Sequence, residues 1–165
     1  MIKKILMLVG NYGTGKSTLI DNKILDVKDE VLLQISKRWW VLGTTINGAD
    51  SVSKFNKADM MKKVEQARVE GIIIAGNYYC SQADVKRLAR NNDVSIVYLK
   101  TSFANNALRI AKRGNLINPT TYNQKLKSHI GLMKASKGLA KIKILDNNRG
   151  LKLVKKDFNK ILNEL

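Results

Sequence analysis

Near the N-terminus, Gly10-Asn11-Tyr12-Gly13-Thr14-Gly15-Lys16-Ser17 follows an apolar run and precedes a helix-like segment. The spacing G-x-x-x-x-G-K-[ST] has a mechanical reason: Gly10, Gly13 and Gly15 permit backbone conformations that turn successive N–H groups towards a polyphosphate. In such a loop Lys16 pairs with β- and γ-phosphate oxygens, and the Ser17 hydroxyl ligates Mg²⁺. The expected cofactors are ATP and Mg²⁺. Their contacts fall on the whole stretch, including Asn11, Tyr12 and Thr14, and on Thr18 just beyond it.

A loop of this kind serves kinases, GTPases and mechanical ATPases alike, so other residues must decide. Asn56-Lys57-Ala58-Asp59 matches the guanine-reading N-K-x-D, but it precedes the third strand candidate, where a GTPase would not place it, and no D-x-x-G occurs. Asn56 and Asp59 read instead as helix-start residues that complement the helix dipole. Phosphoryl transfer to a hydroxyl needs a carboxylate to orient the acceptor and take its proton. Asp50, in the turn Asn47-Gly48-Ala49-Asp50-Ser51, is the first choice, and Asp146 is its competitor. Asp146, with Asn147 and Asn148, more naturally shapes a loop for the nucleotide base, which makes Asn147 a cofactor contact. Residues 72–77 run Ile-Ile-Ile-Ala-Gly-Asn and end without the metal-orienting Asp or Glu common at such an edge. Asn77 is the polar substitute there, which argues against a two-carboxylate hydrolytic ATPase.

Arg109 and Arg113 stand four apart on one predicted helix face, a spacing that lets two guanidiniums close over a transferring phosphoryl group. A solvated basic face gives the same spacing. Trp39, Trp40, Tyr78 and Tyr79 lie beside Lys37 and Arg38 in or near loops predicted to line the acceptor side. Rings interleaved with cations stack on bases while gripping phosphates. Adjacent aromatics in a strand place one ring in the core, so Trp39 or Trp40, with Tyr78, is the expected contact. His129 carries no assigned role, and the single Cys80 is expected to be a buried thiol.

These residues need elements to position them. Short β-branched runs at 2–9, 31–35, 72–75, 94–99 and 142–145 read as buried strands. Helices are predicted over 56–70, 81–90, 102–113 and from Pro119 to about 137, with an amphipathic terminal helix over 150–164. Residues 39–45 resist assignment. Alternation of strands and helices implies a doubly wound, five-stranded parallel α/β sheet with helices on both faces. Ligands then bind beyond the C-terminal strand ends, at loops 10–17, 36–51, 76–81, 100–101 and 146–149.

The chain of 165 residues, 44% hydrophobic, suffices for one domain. No apolar run approaches the roughly 20 residues of a membrane span, and a cytoplasmic location is expected. With 30 Lys+Arg against 13 Asp+Glu the net charge is +17. Of this, residues 1–108 carry +6 and residues 109–165 carry +11. A surplus of this size attracts polyanions and favours nucleic acid, probed as DNA first, as a partner. Neither a membrane nor an obligate protein partner is implied.

The phosphate loop, the helix-borne Arg109-x-x-x-Arg113 after the fourth strand, and the five-strand alternation together resemble the P-loop kinases of the nucleoside-monophosphate and polynucleotide kinase type. The resemblance implies sheet order 2-3-1-4-5 and a small helical lid at about 102–140. It also implies an acceptor-activating carboxylate at Asp50 and a phosphate clamp at Arg109 and Arg113. Within that group, residues 42–51 and 74–78 look like those of the phage-encoded 5-hydroxymethyluracil DNA kinases. That likeness implies, as acceptor, a hydroxymethylated base swung out of DNA, with the host cytoplasm as location. A polynucleotide 5′-hydroxyl kinase, a kinase of free nucleotides or small metabolites, and a nucleic-acid-binding ATPase are the alternatives.

Overall fold

Strand β1 (Lys3–Val9) sends alternate side chains to opposite faces, and all but one of its residues are buried. A strand apolar on both faces belongs in the middle of a sheet covered on both sides. The structure, a computed structural model, describes residues 2–20, 26–27, 32–43, 56–78 and 80–165. In chain order, α1 (Lys16–Ile20), β2 (Asp26–Val27), β3 (Leu32–Gln34), β4 (Trp39–Leu42), α2 (Lys57–Gln66) and β5 (Gly71–Ala75) follow β1. Then come α3 (Gln82–Ala89), β6 (Asn92–Lys100), α4 (Phe103–Ala111), α5 (Pro119–Ala135), β7 (Lys141–Asp146) and α6 (Leu151–Glu164).

The strands form one seven-stranded sheet in the order β2-β3-β4-β5-β1-β6-β7. Strands β4, β5, β1, β6 and β7 run parallel to one another, whereas β3 pairs antiparallel with both β2 and β4. Count and order therefore differ from the expected five parallel strands. The place beside β5 predicted for residues 31–35 is held by β4, the segment that resisted assignment, and β3 folds back antiparallel on β4's far side.

On one face Ile5, Met7 and Val9 pack with Ile72, Ile74, Ile96 and Tyr98 beneath Met60, Met61 and Val64 of α2, Val85 and Leu88 of α3, and Leu132 of α5. On the other, Leu6 and Leu8 pack with Ile73, Val97 and Leu99 beneath Leu19 and Ile20 of α1 and Val154 and Phe158 of α6. Burying such side chains contributes roughly 1.5–3 kcal/mol each, so β1 anchors the loop that follows it.

Helix ends differ from expectation where a side chain stops them. Helix α2 ends at Gln66 instead of 70, because the Lys3 ammonium donates to Val64 O at 2.7 Å and Ala67 O at 3.0 Å. Those are the carbonyls a helix leaves unpaired at its C-terminus. Asn56 is the N-cap, accepting from Ala58 N–H at 2.8 Å, which fits the helix-start reading of the N-K-x-D match. Ser81 and Asp84 form a reciprocal capping box on α3.

Candidate functional site

The parallel register brings four loops together. Leu8 pairs with Ala75 and Val9 with Tyr98, so the loop after β1 emerges beside the ends of β5 and β6. Leu99 pairs with Leu145, which adds the loop after β7. Residues 10–15, 76–78, 100–102 and 146–149 thus share the C-terminal edge of the sheet.

Within the glycine loop, Gly13 (φ 72°) and Gly15 (φ 89°) occupy the left-handed region. A Cβ at Gly13 would lie 2.8 Å from Ile110 Cγ1, and one at Gly15 would lie 3.1 Å from Asn147 Nδ2. Both positions need glycine for conformation and for room. The Lys16 ammonium sits inside the turn, donating to Gly10 O at 2.7 Å and Asn11 O at 2.9 Å. Thr14 Oγ1 donates to Asn11 O at 2.8 Å, and Asn11 Nδ2 donates to Tyr122 O of α5 at 3.4 Å. Ser17 and Thr18 open α1 half-exposed, and the Tyr12 ring is exposed, with the Lys125 ammonium 5.6 Å from its centroid.

Asn147 is buried, with Nδ2 donating to Thr14 O and its N–H to Lys100 O at 2.8 Å. Arg109 reaches across from α4, donating to Asn147 O at 2.8 Å and Thr14 O at 3.5 Å. Arg109 and Arg113 line one cleft of about 290 Å³ together with Gly13, Gly15, Thr18, Lys112, Asn147 and Leu151. Six predicted cofactor or lid residues, Gly13, Gly15, Thr18, Asn147, Arg109 and Arg113, therefore meet at one cavity. Its size and mixed lining suit part of a nucleotide. The expected lid at 102–140 consists of α4 and α5 packed on the glycine loop and the sheet. Buried Asn106 and Ile110 of α4 lie against Gly13, and Tyr122, His129 and Leu132 of α5 are buried.

The other predicted residues divide. Asn77 and Tyr78 lie directly after β5 at the site edge, Asn77 half-buried and Tyr78 exposed. Lys37, Arg38 and Trp39 do not reach it. Residues 36–38 turn β3 into β4, and Trp39 pairs with Gly71 at the start of β5, the opposite end of the sheet from the glycine loop. Arg38 Nε binds Glu70 Oε1 at 2.5 Å, Lys37 is exposed, and the Trp39 indole is buried with Nε1 donating to Leu162 O at 3.1 Å. Trp40 is half-buried against the core under α2 and α3. The substrate contacts expected of Lys37, Arg38, Trp39 and Trp40 are corrected accordingly: the antiparallel hairpin turns this segment away. Asp50 and Tyr79 lie outside the described residues.

Asp146 is not poised as a base. Its carboxylate accepts from Asn148 N–H at 3.0 Å and Asn148 Nδ2 at 2.7 Å, and the backbone hydrogen bond from Asn148 holds it below the usual carboxylate range. Asn148 Oδ1 in turn accepts from Ser102 N–H and Asn105 Nδ2, both at 2.9 Å, tying this loop to the start of α4. The Cys80 thiol donates to Gly76 O at 2.8 Å, and burial pushes it up to about 12, so it is inert.

Two buried residues of the site had no role in the sequence reading. Asn106, fully buried beneath Gly13, has neither side-chain polar atom paired. His129 places Nε2 2.9 Å from Asn77 Oδ1, and burial, reinforced by the charges of Lys16 and Lys125, pushes its imidazolium down to about 4. A polar residue four before Ile110 on an amphipathic helix, and the spacing Tyr122, Lys125, His129 on one helix face, were the signals available. Among the described residues no three His, Cys, Asp or Glu side chains gather as a metal site. No described helix is long and apolar enough to cross a membrane.

No protein-family model matches the sequence, and no curated protein does. Solved structures share the fold. The deoxyadenosine kinase from M. mycoides with dCMP and dCDP bound superposes with a TM-score of 0.58 at 19% identity, covering 98% of this chain and 100% of its own. A gluconokinase from Sinorhizobium meliloti 1021 gives 0.56 at 12% identity, over 94% of this chain and 89% of its own. Shikimate kinase from Acinetobacter baumannii in complex with shikimate gives 0.51 at 16% identity, over 99% and 95%. The chain therefore has the α/β fold of P-loop kinases.

Proposed function

We propose that the protein is an ATP-dependent kinase that transfers a γ-phosphoryl group to a hydroxyl of a free nucleoside, nucleotide or comparable small metabolite. The observation that carries this reading is the loop from Gly10 to Ser17, with left-handed Gly13 and Gly15 and an inward-turned Lys16, opening on the cleft of Arg109, Arg113 and Asn147. The residues fit the nucleotide. Lys16 exchanges its bonds to Gly10 O and Asn11 O for phosphate oxygens, and the two arginines supply positive charge beside the cleft. They also fit Mg²⁺, for which Ser17 offers a hydroxyl and the phosphates offer oxygens, as this ion prefers. When bound, the ion neutralises charge on the transferring group. Asp50 remains the proposed carboxylate that orients the acceptor hydroxyl and takes its proton.

A small acceptor is favoured because the neighbours of the same fold are kinases of deoxyadenosine, gluconate and shikimate by name. It is favoured also because Lys37, Arg38 and Trp39, the residues expected to grip a polymer, face away from the site. The +17 charge supports a second reading, transfer to a hydroxyl on nucleic acid, such as a 5-hydroxymethyluracil base or a 5′ end. Incubation with γ-labelled ATP and a panel of nucleosides, nucleotides, sugars, plain DNA and hydroxymethylated DNA tests both. Label on a small molecule supports the first reading and label on polymer the second. Release of phosphate with no labelled acceptor across the panel favours a hydrolytic ATPase and overturns both.

A further inference from the structure

At the end of β5, where a carboxylate is absent, the chain carries Asn77, and Asn77 is held by a histidine 52 positions away. Gly76 N–H donates to Leu8 O at 3.1 Å, which continues the β5–β1 register and sets Asn77 beside the glycine loop. From α5, His129 brings Nε2 to 2.9 Å from Asn77 Oδ1. His129 is 4% exposed, and its ring lies 5.7 Å from that of Tyr98. The same face of α5 also supplies the carbonyl of Tyr122 to Asn11 and the ammonium of Lys125 to the Tyr12 ring. One helix face thus touches both the glycine loop and the β5 end.

The tautomer follows from what is missing. His129 Nδ1 is buried without a partner. A buried N–H left unpaired is rarer than an unpaired lone pair, so the ring proton belongs on Nε2 and Nδ1 is bare. Burial, reinforced by the charges of Lys16 and Lys125, keeps the ring neutral. Nε2–H then donates, Asn77 Oδ1 accepts, and the carboxamide is fixed with its oxygen spent on His129. Its NH₂ group has no partner among the described residues.

Resting on the kinase reading above, we propose that His129 is a positioning residue that presents the Asn77 NH₂ as a hydrogen-bond donor to an oxygen of the nucleotide's terminal phosphoryl group. The β5 end thereby contributes a donor where a carboxylate would contribute an acceptor. The site meets phosphate charge from this side with a neutral N–H as well as with Lys16.

NMR of the ¹⁵N-labelled full chain and kinetics of two variants test the proposal. Long-range ¹H–¹⁵N correlations should find His129 protonated at Nε2, and a proton at Nδ1 overturns the pairing. On addition of MgADP with aluminium fluoride, the Gly15 amide and the Asn77 side-chain NH₂ should both shift. A Gly15 shift with Asn77 unmoved overturns this proposal alone, whereas no shift at either overturns the nucleotide reading and this proposal with it. His129→Phe keeps a ring and loses the donor; its kcat should fall about 10-fold or more with the KM for ATP within about threefold, as loss of an orienting partner does. His129→Gln, whose amide can donate to Asn77 Oδ1, should recover to within about threefold of the parent. Equal loss in both variants, or an unchanged kcat in His129→Phe, overturns the positioning role.

Discussion

Lys16 spends its ammonium on the carbonyls of its own loop, at 2.7 Å from Gly10 O and 2.9 Å from Asn11 O. Its position inside the turn is therefore set before any phosphate competes for it. Lys16→Ala removes that contact in both the ground and the transition state, and phosphoryl transfer should fall by at least ~10²-fold in kcat/KM. Asp50→Asn should behave differently, retaining ATP affinity while losing kcat, because a base acts only in the chemical step. Steady-state kinetics alongside calorimetric ATP titration separates the two, and near-parent turnover in Asp50→Asn would remove that residue from the mechanism. His129 makes a prediction about stability. Its folded pKa is pushed down to about 4 by burial and by Lys16 and Lys125, against an unfolded value of about 6.5. The unfolded chain then binds the extra proton first, so stability is fully present above about pH 6.5 and falls on acidification towards pH 4, by on the order of 3 kcal/mol. Urea unfolding at pH 7 and pH 4.5 should reveal this loss, and His129→Gln should flatten it; equal slopes in parent and variant would refute it. Lys16, Ser17 and the glycines were legible from sequence because their spacing encodes a local backbone shape. The His129–Asn77 pair was not, since two residues 52 apart meet only through the packing of α5 over the β5 end.

Among the elements, the inner strands were legible because continuous β-branched runs such as Ile72-Ile73-Ile74 can be satisfied only between two helical layers. The hairpin of β3 and β4 was not. Taking 31–35 as a parallel strand puts everything after it, Lys37, Arg38 and Trp39 included, at the C-terminal edge. One reversal at residues 36–38, where Ser36 Oγ accepts from Trp39 N–H at 3.1 Å, moves all three to the other end. What holds β4 against β5 there is the absence of a side chain: a Cβ on Gly71 would lie 2.6 Å from Trp39 Cε3. The Trp39 ring cannot easily give way, being buried with its Nε1 bonded to Leu162 O at the end of α6. Gly71→Ala should therefore destabilise the protein by about 1–3 kcal/mol through overpacking. That corresponds to roughly 3–10 °C in the melting midpoint for a chain of this size. Gly131→Ala is the control, because nothing lies within 4 Å of a Cβ there and the position is helical. It should leave the midpoint unchanged or raise it. A Gly71→Ala variant that melts with the parent would mean that β4 is not packed on β5 through this contact.

Across the whole molecule the unexplained quantity is charge, and its placement bears on which acceptor the site serves. The +11 of residues 109–165 is carried by the end of α4 and the segment after it, and by α5, β7, α6 and the segments joining them, and Lys152, Lys156 and Lys160 stand four apart on an exposed face of α6. This stripe lies on a helix packed against the sheet face that also carries α1, and Leu151, one residue before it, lines the cleft beside the glycine loop. A polyanion could therefore bind close to the site without being the acceptor. Binding through phosphates alone is sequence-independent and releases counterions, so affinity for mixed-sequence duplex DNA should fall roughly 10³-fold or more between about 50 and 200 mM salt if six or more phosphates are contacted. Each of Lys152→Glu and Lys156→Glu should lower the salt slope by about one, while transfer to a small acceptor at fixed salt stays at the parent rate. Fluorescence anisotropy across a salt series measures the first quantity, and labelled ATP measures the second. If both charge reversals instead abolish transfer while ATP binding persists, the acceptor itself is held by the α6 stripe and the nucleic-acid reading prevails. If neither alters DNA affinity, the stripe is a solvated helix face and the charge surplus has no bearing on the substrate.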